Sequence, residues 1–214
     1  MGRITTFIAL SGGVDSTHCL WRWLRDNPRS TGKEILVHHV LLHQRRRDVE
    51  KEACTKILKY LNSKKMTNYR YVETSFCRGT LGGKLYDLHI IGIMSGYVLS
   101  VRPYKDLRTI LGCYCKEESP RTVALIAKGM TMRQASEQVK GSRQLQFINN
   151  IEFISGKKYD YQAPYIAMKK KEMIDELPQE LRQAVWFCRN PKDGKPCTKC
   201  FNCRRVLPSL KSYI

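Results

Sequence analysis

The stretch that decides the fold is residues 4–20, which read I-T-T-F-I-A-L-S-G-G-V-D-S-T-H-C-L. Its first part, residues 4–10, is a short apolar run, which predicts a buried strand. Residues 17–25 are amphipathic and end before an Asn-Pro pair, which predicts a helix. Between them lies the turn Ser11-Gly12-Gly13. A glycine turn that joins a first strand to a helix is where open parallel sheets bind anionic ligands.

The same alternation of strand and helix continues along the chain. Further strands are predicted at residues 34–42, 68–73, 109–114 and 151–154, and helices at residues 48–61, 85–101, 120–149 and 169–177. This order predicts an α/β fold, a Rossmann-like parallel sheet of about five strands with helices on both faces. The helix at 85–101 carries small residues that predict close packing against the sheet: Gly92, Ser95 and Gly96.

The composition changes at about residue 186, where cysteine, proline and lysine replace the apolar periodicity. We therefore predict a nucleotide-binding α/β domain at residues 1–185 and a cysteine-rich tail at residues 186–214 packed on it. No apolar stretch approaches the roughly 20 residues needed to cross a bilayer. The apolar segment at the start is too short for a secretory signal, so the cytosol is the expected compartment.

The charge balance is strongly basic, with 38 Lys and Arg against 19 Asp and Glu and a net charge of +19. Such a balance favours polyanionic partners, namely nucleic acids, nucleotides or acidic metabolites. The alternative is a solvated basic surface without a partner, since the charge is spread along the chain and no arginine-rich arm is present. Nucleic-acid binding is therefore compatible with the sequence but not required by it.

The glycine turn has the groups that a phosphate site needs. Its glycines allow close approach of an anion to backbone N–H groups, and Ser11, Ser16 and Thr17 add hydroxyl donors. Asp15 is predicted either to hold Mg²⁺ or to fix the turn by accepting backbone hydrogen bonds. The turn matches neither the Walker A pattern nor G-x-G-x-x-G. The predicted binding residues are Leu10, Ser11, Gly12, Gly13, Val14, Asp15, Ser16 and Thr17; the alternative is a helix-capping turn without a ligand.

The tail carries four cysteines at the spacing C-x8-C-x2-C-x2-C: Cys188, Cys197, Cys200 and Cys203. Four thiolates complete a tetrahedral Zn²⁺ site with no open position, so a structural zinc is predicted. An iron–sulfur cluster or free thiols are the alternatives. The other cysteines are predicted to be core residues: Cys19, Cys54, Cys77, Cys113 and Cys115.

Three residue groups remain as weaker candidates. Lys170 is a candidate for stabilising phosphate charge, or else a solvated lysine in a run of three. Glu117 and Glu118 follow the fourth strand and are candidates for substrate or Mg²⁺ binding, or else surface charges. His38 and His39 point to opposite faces of one strand, so with His43 they are predicted to be core or pocket-edge residues rather than metal ligands.

The pattern S-G-G-x-D-S at residues 11–16 resembles the signature of the PP-loop ATP pyrophosphatases. Together with the four-cysteine tail, the chain resembles the 7-cyano-7-deazaguanine synthases of queuosine and archaeosine biosynthesis. The similar segments are residues 11–20, Gln44-Arg45 with Glu52-Ala53, the P-x5-K-x-E pattern at 164–172, and Trp186-x-Cys188. The chain departs from that family at His43 and Arg46 and through residues 76–83 and 113–149.

The resemblance implies an adenine nucleotide alpha-hydrolase-like fold and an ATP-dependent C–N ligase that uses ATP, Mg²⁺ and a structural Zn²⁺. The implied substrates are 7-carboxy-7-deazaguanine and ammonia, with Asp15 and Lys170 as the catalytic residues, and a homodimer is expected. Three other functions stay open. One is a PP-loop enzyme that adenylates a base in RNA, as a tRNA thiolase does, for which Cys77, Cys113 and Cys115 would be candidate catalytic cysteines. Another is the same ligation on a protein or a base in DNA. The last is a zinc-containing nucleic-acid-binding protein with a vestigial PP-loop.

Overall fold

The computed structural model describes residues 2–42, 45–77, 87–102 and 104–211. Its centre is a five-stranded sheet whose strands are all parallel and lie in the order β3-β2-β1-β4-β5. The strands are β1 Arg3–Ala9, β2 Lys33–Leu42, β3 Tyr69–Phe76, β4 Thr109–Leu111 and β5 Asp160–Gln162. The predicted α/β class and the five-stranded parallel sheet are confirmed.

Helices connect these strands and cover both faces of the sheet. They are α1 Val14–Asp26, α2 Arg47–Ser63, α3 Asp87–Val101, α4 Pro120–Ile126, α5 Met132–Gln138, α6 Arg143–Ser155, α7 Lys170–Glu176, α8 Gln179–Ala184 and α9 Phe201–Lys211. The segment predicted as one helical region at 120–149 is divided, because Gly129 and Gly141 adopt φ angles of 89° and 70° between the helices. None of the helices in the described part of the chain is long and apolar enough to cross a bilayer.

The strand predicted at residues 151–154 is wrong, because this segment is the end of α6. Its apolar residues follow a helical period: Ile148 and Ile151 are fully buried, whereas Phe153 is 86% exposed. Ser142 caps the start of α6 and Gly156 ends it in a left-handed conformation. The last strand is instead the short segment β5.

Alternate residues of the central strands fill two separate cores. Ile8 and Leu111 pack with α1, α2 and α7 on one face of the sheet, whereas Phe7 and Ile110 pack with α3, α5 and α6 on the other. This period of two is what a strand buried on both faces requires. Both faces of β1 and β4 are covered, so the ends of these strands are the parts left to form a site.

Helix α3 packs against the sheet as predicted, with Ile90 beside Val40 and Leu42, but its glycines pack against α6. A Cβ atom on Gly96 would lie 2.7 Å from Ile154 Cβ and 3.0 Å from the Ile151 carbonyl oxygen, and one on Gly92 would lie 3.0 Å from the Phe147 carbonyl oxygen. Of these three small residues, Ser95 is the one that contacts the sheet, at 3.0 Å between its Oγ and His38 Nδ1.

We expect Gly96→Ala to lower the free energy of unfolding by up to about 2 kcal/mol. Overpacking at a helix contact costs roughly 1–3 kcal/mol, and the better helix propensity of alanine offsets about 1 kcal/mol of that. Ser100→Ala is the matched control, because Ser100 is exposed on the same helix. Urea denaturation of both variants measures the difference; a stabilised Gly96→Ala protein would contradict the α3–α6 packing.

The tail contributes to the same core as the sheet. Val206 of α9 is 3% exposed and belongs to the core that contains α7. Phe187 and Leu210 pack against that core as well. The division of the chain at residue 186 into two domains stays a prediction.

Candidate active site

The sheet order places a crevice at the carboxyl ends of β1 and β4. From β1 the chain adds β2 and β3 on one side, and it then crosses to β4 and β5 on the other side. Ligands of open parallel sheets bind where the strand order reverses in this way. Residues 10–17 after β1 and residues 112–118 after β4 meet at this point.

The turn after β1 is held by its own hydroxyl groups. Ser11 N–H donates to Ser16 Oγ at 3.1 Å, and the two serine Oγ atoms lie 3.0 Å apart. Gly12 has a φ of 74°, and a Cβ atom there would lie 3.1 Å from Ala53 Cβ and 3.2 Å from the Glu50 carbonyl oxygen. A left-handed backbone and a crowded neighbour both require glycine at this position.

The turn leads directly into the N-terminus of α1. Gly13 is the N-cap residue, and no side chain in the described part of the chain caps it. The first N–H groups of a helix have no intrahelical partner and bind anions. Thr17 Oγ1 is buried and has no hydrogen-bond partner among the described residues. These donors fit a phosphate group.

Asp15 and Lys170 form an ion pair beside the turn. Their side chains are 18% and 10% exposed, and Lys170 Nζ donates to Asp15 Oδ2. The structure therefore brings together the two residues predicted to be catalytic, which are 155 positions apart. The ion pair is a contact that neither predicted role of Asp15 included.

Glu117 fixes the start of the helix that carries Lys170. Its two carboxylate oxygens accept from Lys170 N–H at 3.1 and 3.2 Å. These hydrogen bonds lower the pKa of Glu117 against the opposing effect of burial. The predicted candidate Glu117 thus lies at the site, where it positions the lysine; the side chain of Glu118 lies outside the described residues.

The tail contacts this site in two places that sequence reasoning missed. Trp186 N–H donates to the Gly12 carbonyl oxygen at 2.8 Å, and its indole Nε1 donates to the Cys188 carbonyl oxygen at 2.8 Å. Arg205 Nη2 lies 3.7 Å from Glu117 Oε2 and 3.6 Å from Cys115 Sγ. No local pattern connects these residues, so only the folded chain shows the contacts.

The four tail cysteines predicted as metal ligands lie together. Their Sγ atoms are all within 4.8 Å of one another, and those of Cys197 and Cys203 are 3.9 Å apart. A tetrahedral ion with ligand distances of about 2.3 Å needs sulfur atoms about 3.8 Å apart. Three backbone N–H groups donate to these sulfurs, namely those of Cys197, Cys200 and Cys203. The donor set fits one metal ion and favours thiolates.

The cysteines outside the tail cluster differ in their burial. Cys19, Cys54 and Cys115 are buried as predicted, whereas Cys113 is half-buried. Cys77 is exposed, so its predicted place in the core is wrong, because it follows the last residue of β3. A hydrogen bond with Cys19, together with burial, raises the pKa of Cys113 well above its ordinary value.

His38 and His39 lie on opposite faces of β2, as predicted. His38 contacts Ser95 Oγ and Thr74 Oγ1 at 3.0 and 2.8 Å. Burial, and to a smaller extent the nearby His39, lowers the pKa of His38 to about 4. His39 Nδ1 lies 2.7 Å from the Leu10 carbonyl oxygen, at the end of β1. His43 lies outside the described residues.

A buried charged cluster lies next to the turn at the start of α2. Arg46 contacts Glu50 at 2.8 Å and also pairs with Asp87. Burial raises the pKa of Glu50 to about 7. A buried carboxyl group with such a pKa beside a crevice is typical of functional sites. Sequence reasoning missed this cluster, although Arg46 was noted as a departure from the deazaguanine synthases.

Comparison with known proteins finds similarity among solved structures. No protein-family model matches the chain, and no curated protein sequence matches it. Among solved structures, the chain is similar to the U34-tRNA thiolase NcsA from Methanococcus maripaludis, solved with its [4Fe-4S] cluster. The match has a TM-score of 0.49 and 11% identity, and it covers 100% of this chain and 71% of that chain. A likeness at this level does not assign an activity to the chain.

Proposed function

We propose that the chain is an ATP-dependent ligase that adenylates a carboxylate and joins it to ammonia. The observation that carries this proposal is the Asp15–Lys170 ion pair beside an uncapped helix N-terminus, at the sheet's switch point. The specific substrate proposed is 7-carboxy-7-deazaguanine, and the product is 7-cyano-7-deazaguanine. The sequence resemblance and the four-cysteine tail support that choice.

The proposed chemistry needs positioning and charge neutralisation more than a covalent nucleophile. The substrate carboxylate oxygen attacks the α-phosphorus of ATP, and pyrophosphate leaves into the turn. The N–H groups at the start of α1 and the hydroxyls of Ser11, Ser16 and Thr17 bind the leaving pyrophosphate. Lys170 neutralises its charge, and the Asp15 carboxylate would hold the Mg²⁺ that accompanies ATP.

Two further steps complete the balance. Ammonia attacks the acyl carbon and AMP leaves. The nitrogen loses one proton, which gives the primary amide. A second ATP adenylates the amide oxygen and pyrophosphate leaves. Loss of AMP together with both N–H protons of the amide then gives the nitrile. Glu50 is the candidate to accept one of these protons, because its carboxyl group has a pKa of about 7 and its backbone carbonyl oxygen lies against Gly12.

We propose Zn²⁺ for the four-cysteine site, with a structural role. The sulfur distances fit one ion, and four thiolates leave no position for a substrate. Cys188, Cys197, Cys200 and Cys203 would hold the ion, which fixes the ends of the tail that reach Gly12 and Glu117. The expected cytosolic location and homodimer remain part of this proposal.

The basic charge of +19 favours a second candidate, an enzyme that adenylates a base in RNA. A thiolation of this type commonly needs a reactive cysteine. The raised pKa of Cys113 and the burial of Cys115 disfavour a thiolate at the end of β4, and Cys77 follows a different strand. A vestigial loop in a nucleic-acid-binding protein is disfavoured by the intact phosphate donors.

The test is substrate-dependent pyrophosphate release. The purified protein is incubated with ATP, Mg²⁺ and ammonia, with and without 7-carboxy-7-deazaguanine, and the products are identified by mass. We expect pyrophosphate and AMP only with the acid, together with the nitrile. AMP formation with tRNA and not with the acid would establish the second candidate instead, and no ATP turnover with either would refute both.

A further inference from the structure

The starts of the five strands carry a row of basic residues at the edge of the sheet opposite the candidate active site. We call this row the amino edge. It consists of Arg3, Arg29, Lys33, Lys65, Arg102, Lys105, Arg108 and Lys157, all of them exposed. Among the described residues, no carboxylate lies within ion-pair distance of any of the eight. Their charge is therefore not compensated within the described fold.

Strand pairing places three of these residues, Arg3, Lys33 and Arg108, on neighbouring strands. Arg3 and Lys33 are register partners in β1 and β2. Arg108 N–H donates to the Thr5 carbonyl oxygen at 3.1 Å, and the Arg108 carbonyl oxygen accepts from Asp160 N–H at 2.9 Å. Neighbouring strands lie about 4.8 Å apart, so the amino edge extends over about 20 Å.

Few acidic groups interrupt the row. Glu34 is paired with Arg70, and Asp26 contacts Arg22 and Arg25. Asp106 and Asp160 are the other carboxylates at these strand starts. A long strip of positive charge with so few acids attracts a polymer of negative charges.

We propose that the amino edge binds the phosphodiester backbone of a single-stranded nucleic acid. The half of the row around β1, β2 and β3 presents charged side chains, as backbone contacts need. At the other end, Phe153 is 86% exposed in the last turn of α6, four positions along the chain before Lys157. Exposed aromatic rings together with basic side chains are the combination on which unpaired bases stack.

The position of this surface defines what it does. We call the turn Ser11-Gly12-Gly13 the phosphate turn. β1 has seven residues, and at about 3.3 Å per residue this strand separates Arg3 from the phosphate turn by about 23 Å. A strand bound at the amino edge therefore does not deliver a base across the sheet to Lys170. The surface anchors the protein on nucleic acid independently of the proposed ATP chemistry, so either proposal can fail without the other.

The test compares two variants of equal charge. The edge variant carries Lys33→Gln, Arg102→Gln, Lys105→Gln and Lys157→Gln; the control variant carries Lys59→Gln, Lys128→Gln, Lys140→Gln and Lys195→Gln, which are exposed lysines outside the strand starts. Fluorescence anisotropy with a labelled oligouridylate and a labelled oligothymidylate measures the affinity over a range of salt concentrations. Denaturation curves check that both variants fold.

We expect the wild-type chain to bind both oligonucleotides. The edge variant should bind about tenfold more weakly or worse, and its salt dependence should fall by about 3 in the slope of log K against log salt. The control variant should lose much less affinity. Phe153→Ala should weaken the binding of single strands about tenfold and leave duplex binding unchanged. Equal losses in the two charge variants, no binding by the wild type, or binding only to anionic lipid vesicles would overturn the proposal.

Discussion

Replacing Lys170 with methionine is expected to lower substrate-dependent pyrophosphate release by about 100-fold or more. The side chain is 10% exposed and pairs with Asp15, in the first turn of α1 next to the phosphate turn. Loss of one preorganised charge at a developing anion typically costs a factor of 10² to 10³ in rate. Steady-state release of pyrophosphate measures the effect.

The same change also affects stability, and a second substitution separates the two effects. Without the lysine, the half-buried carboxylate of Asp15 loses its cation, which should lower the free energy of unfolding by about 1–3 kcal/mol. Adding Asp15→Asn should recover most of that stability while the rate stays low. Lys171→Met is the matched control, because Lys171 is exposed and pairs with Asp175. A Lys170→Met protein as active as this control would refute the role of Lys170.

The second large effect is expected for Cys203→Ser, which should abolish stoichiometric metal binding. Cys203 is 0% exposed and belongs to the four-cysteine cluster. Structural Zn²⁺ contributes about 10–16 kcal/mol of binding free energy in isolated zinc-finger peptides, so loss of a ligand should unfold the tail. Metal analysis of the wild-type chain should give one zinc per chain and no iron-type absorption band.

The metal site and the ATP site should fail together in this variant. The tail donates Trp186 N–H to Gly12 and places Arg205 beside Glu117, so its unfolding removes both contacts from the phosphate turn. ATP turnover should therefore fall with metal content. Cys77→Ser is the matched control, since Cys77 is exposed and outside the cluster. Full ATP turnover in metal-free protein would contradict the coupling.

The parts that the sequence predicts correctly are those in which the relevant residues are close along the chain. Two local patterns illustrate this. The structure has the strand, turn and helix predicted at residues 4–20, and it brings the four cysteines of the tail together. The strand predicted at residues 151–154 is wrong because four residues do not distinguish a period of 2 from one of 3.6. The pattern of buried residues along α6, which is visible only in the folded chain, shows that the segment is helical.

The contacts that complete the candidate site depend on tertiary structure. Asp15 and Lys170 are 155 positions apart, and Glu117 and Arg205 come from still other parts of the chain. The sequence could nominate each residue by its chemistry, but not which groups pair with which. The Trp186–Gly12 hydrogen bond uses only main-chain atoms, so no residue type indicates it.

That bond between Trp186 and Gly12 makes the indole ring a natural fluorescent reporter. The main-chain N–H of Trp186 bonds to the phosphate turn, while its half-buried ring donates to the carbonyl oxygen of Cys188 and stacks on Phe187 at 6.2 Å between ring centroids. Emission from Trp186 should respond both to a nucleotide in the turn and to a metal in the tail. With Trp21 and Trp23 replaced by phenylalanine, titration of one ligand in the presence and absence of the other would read out their mutual influence without any added dye.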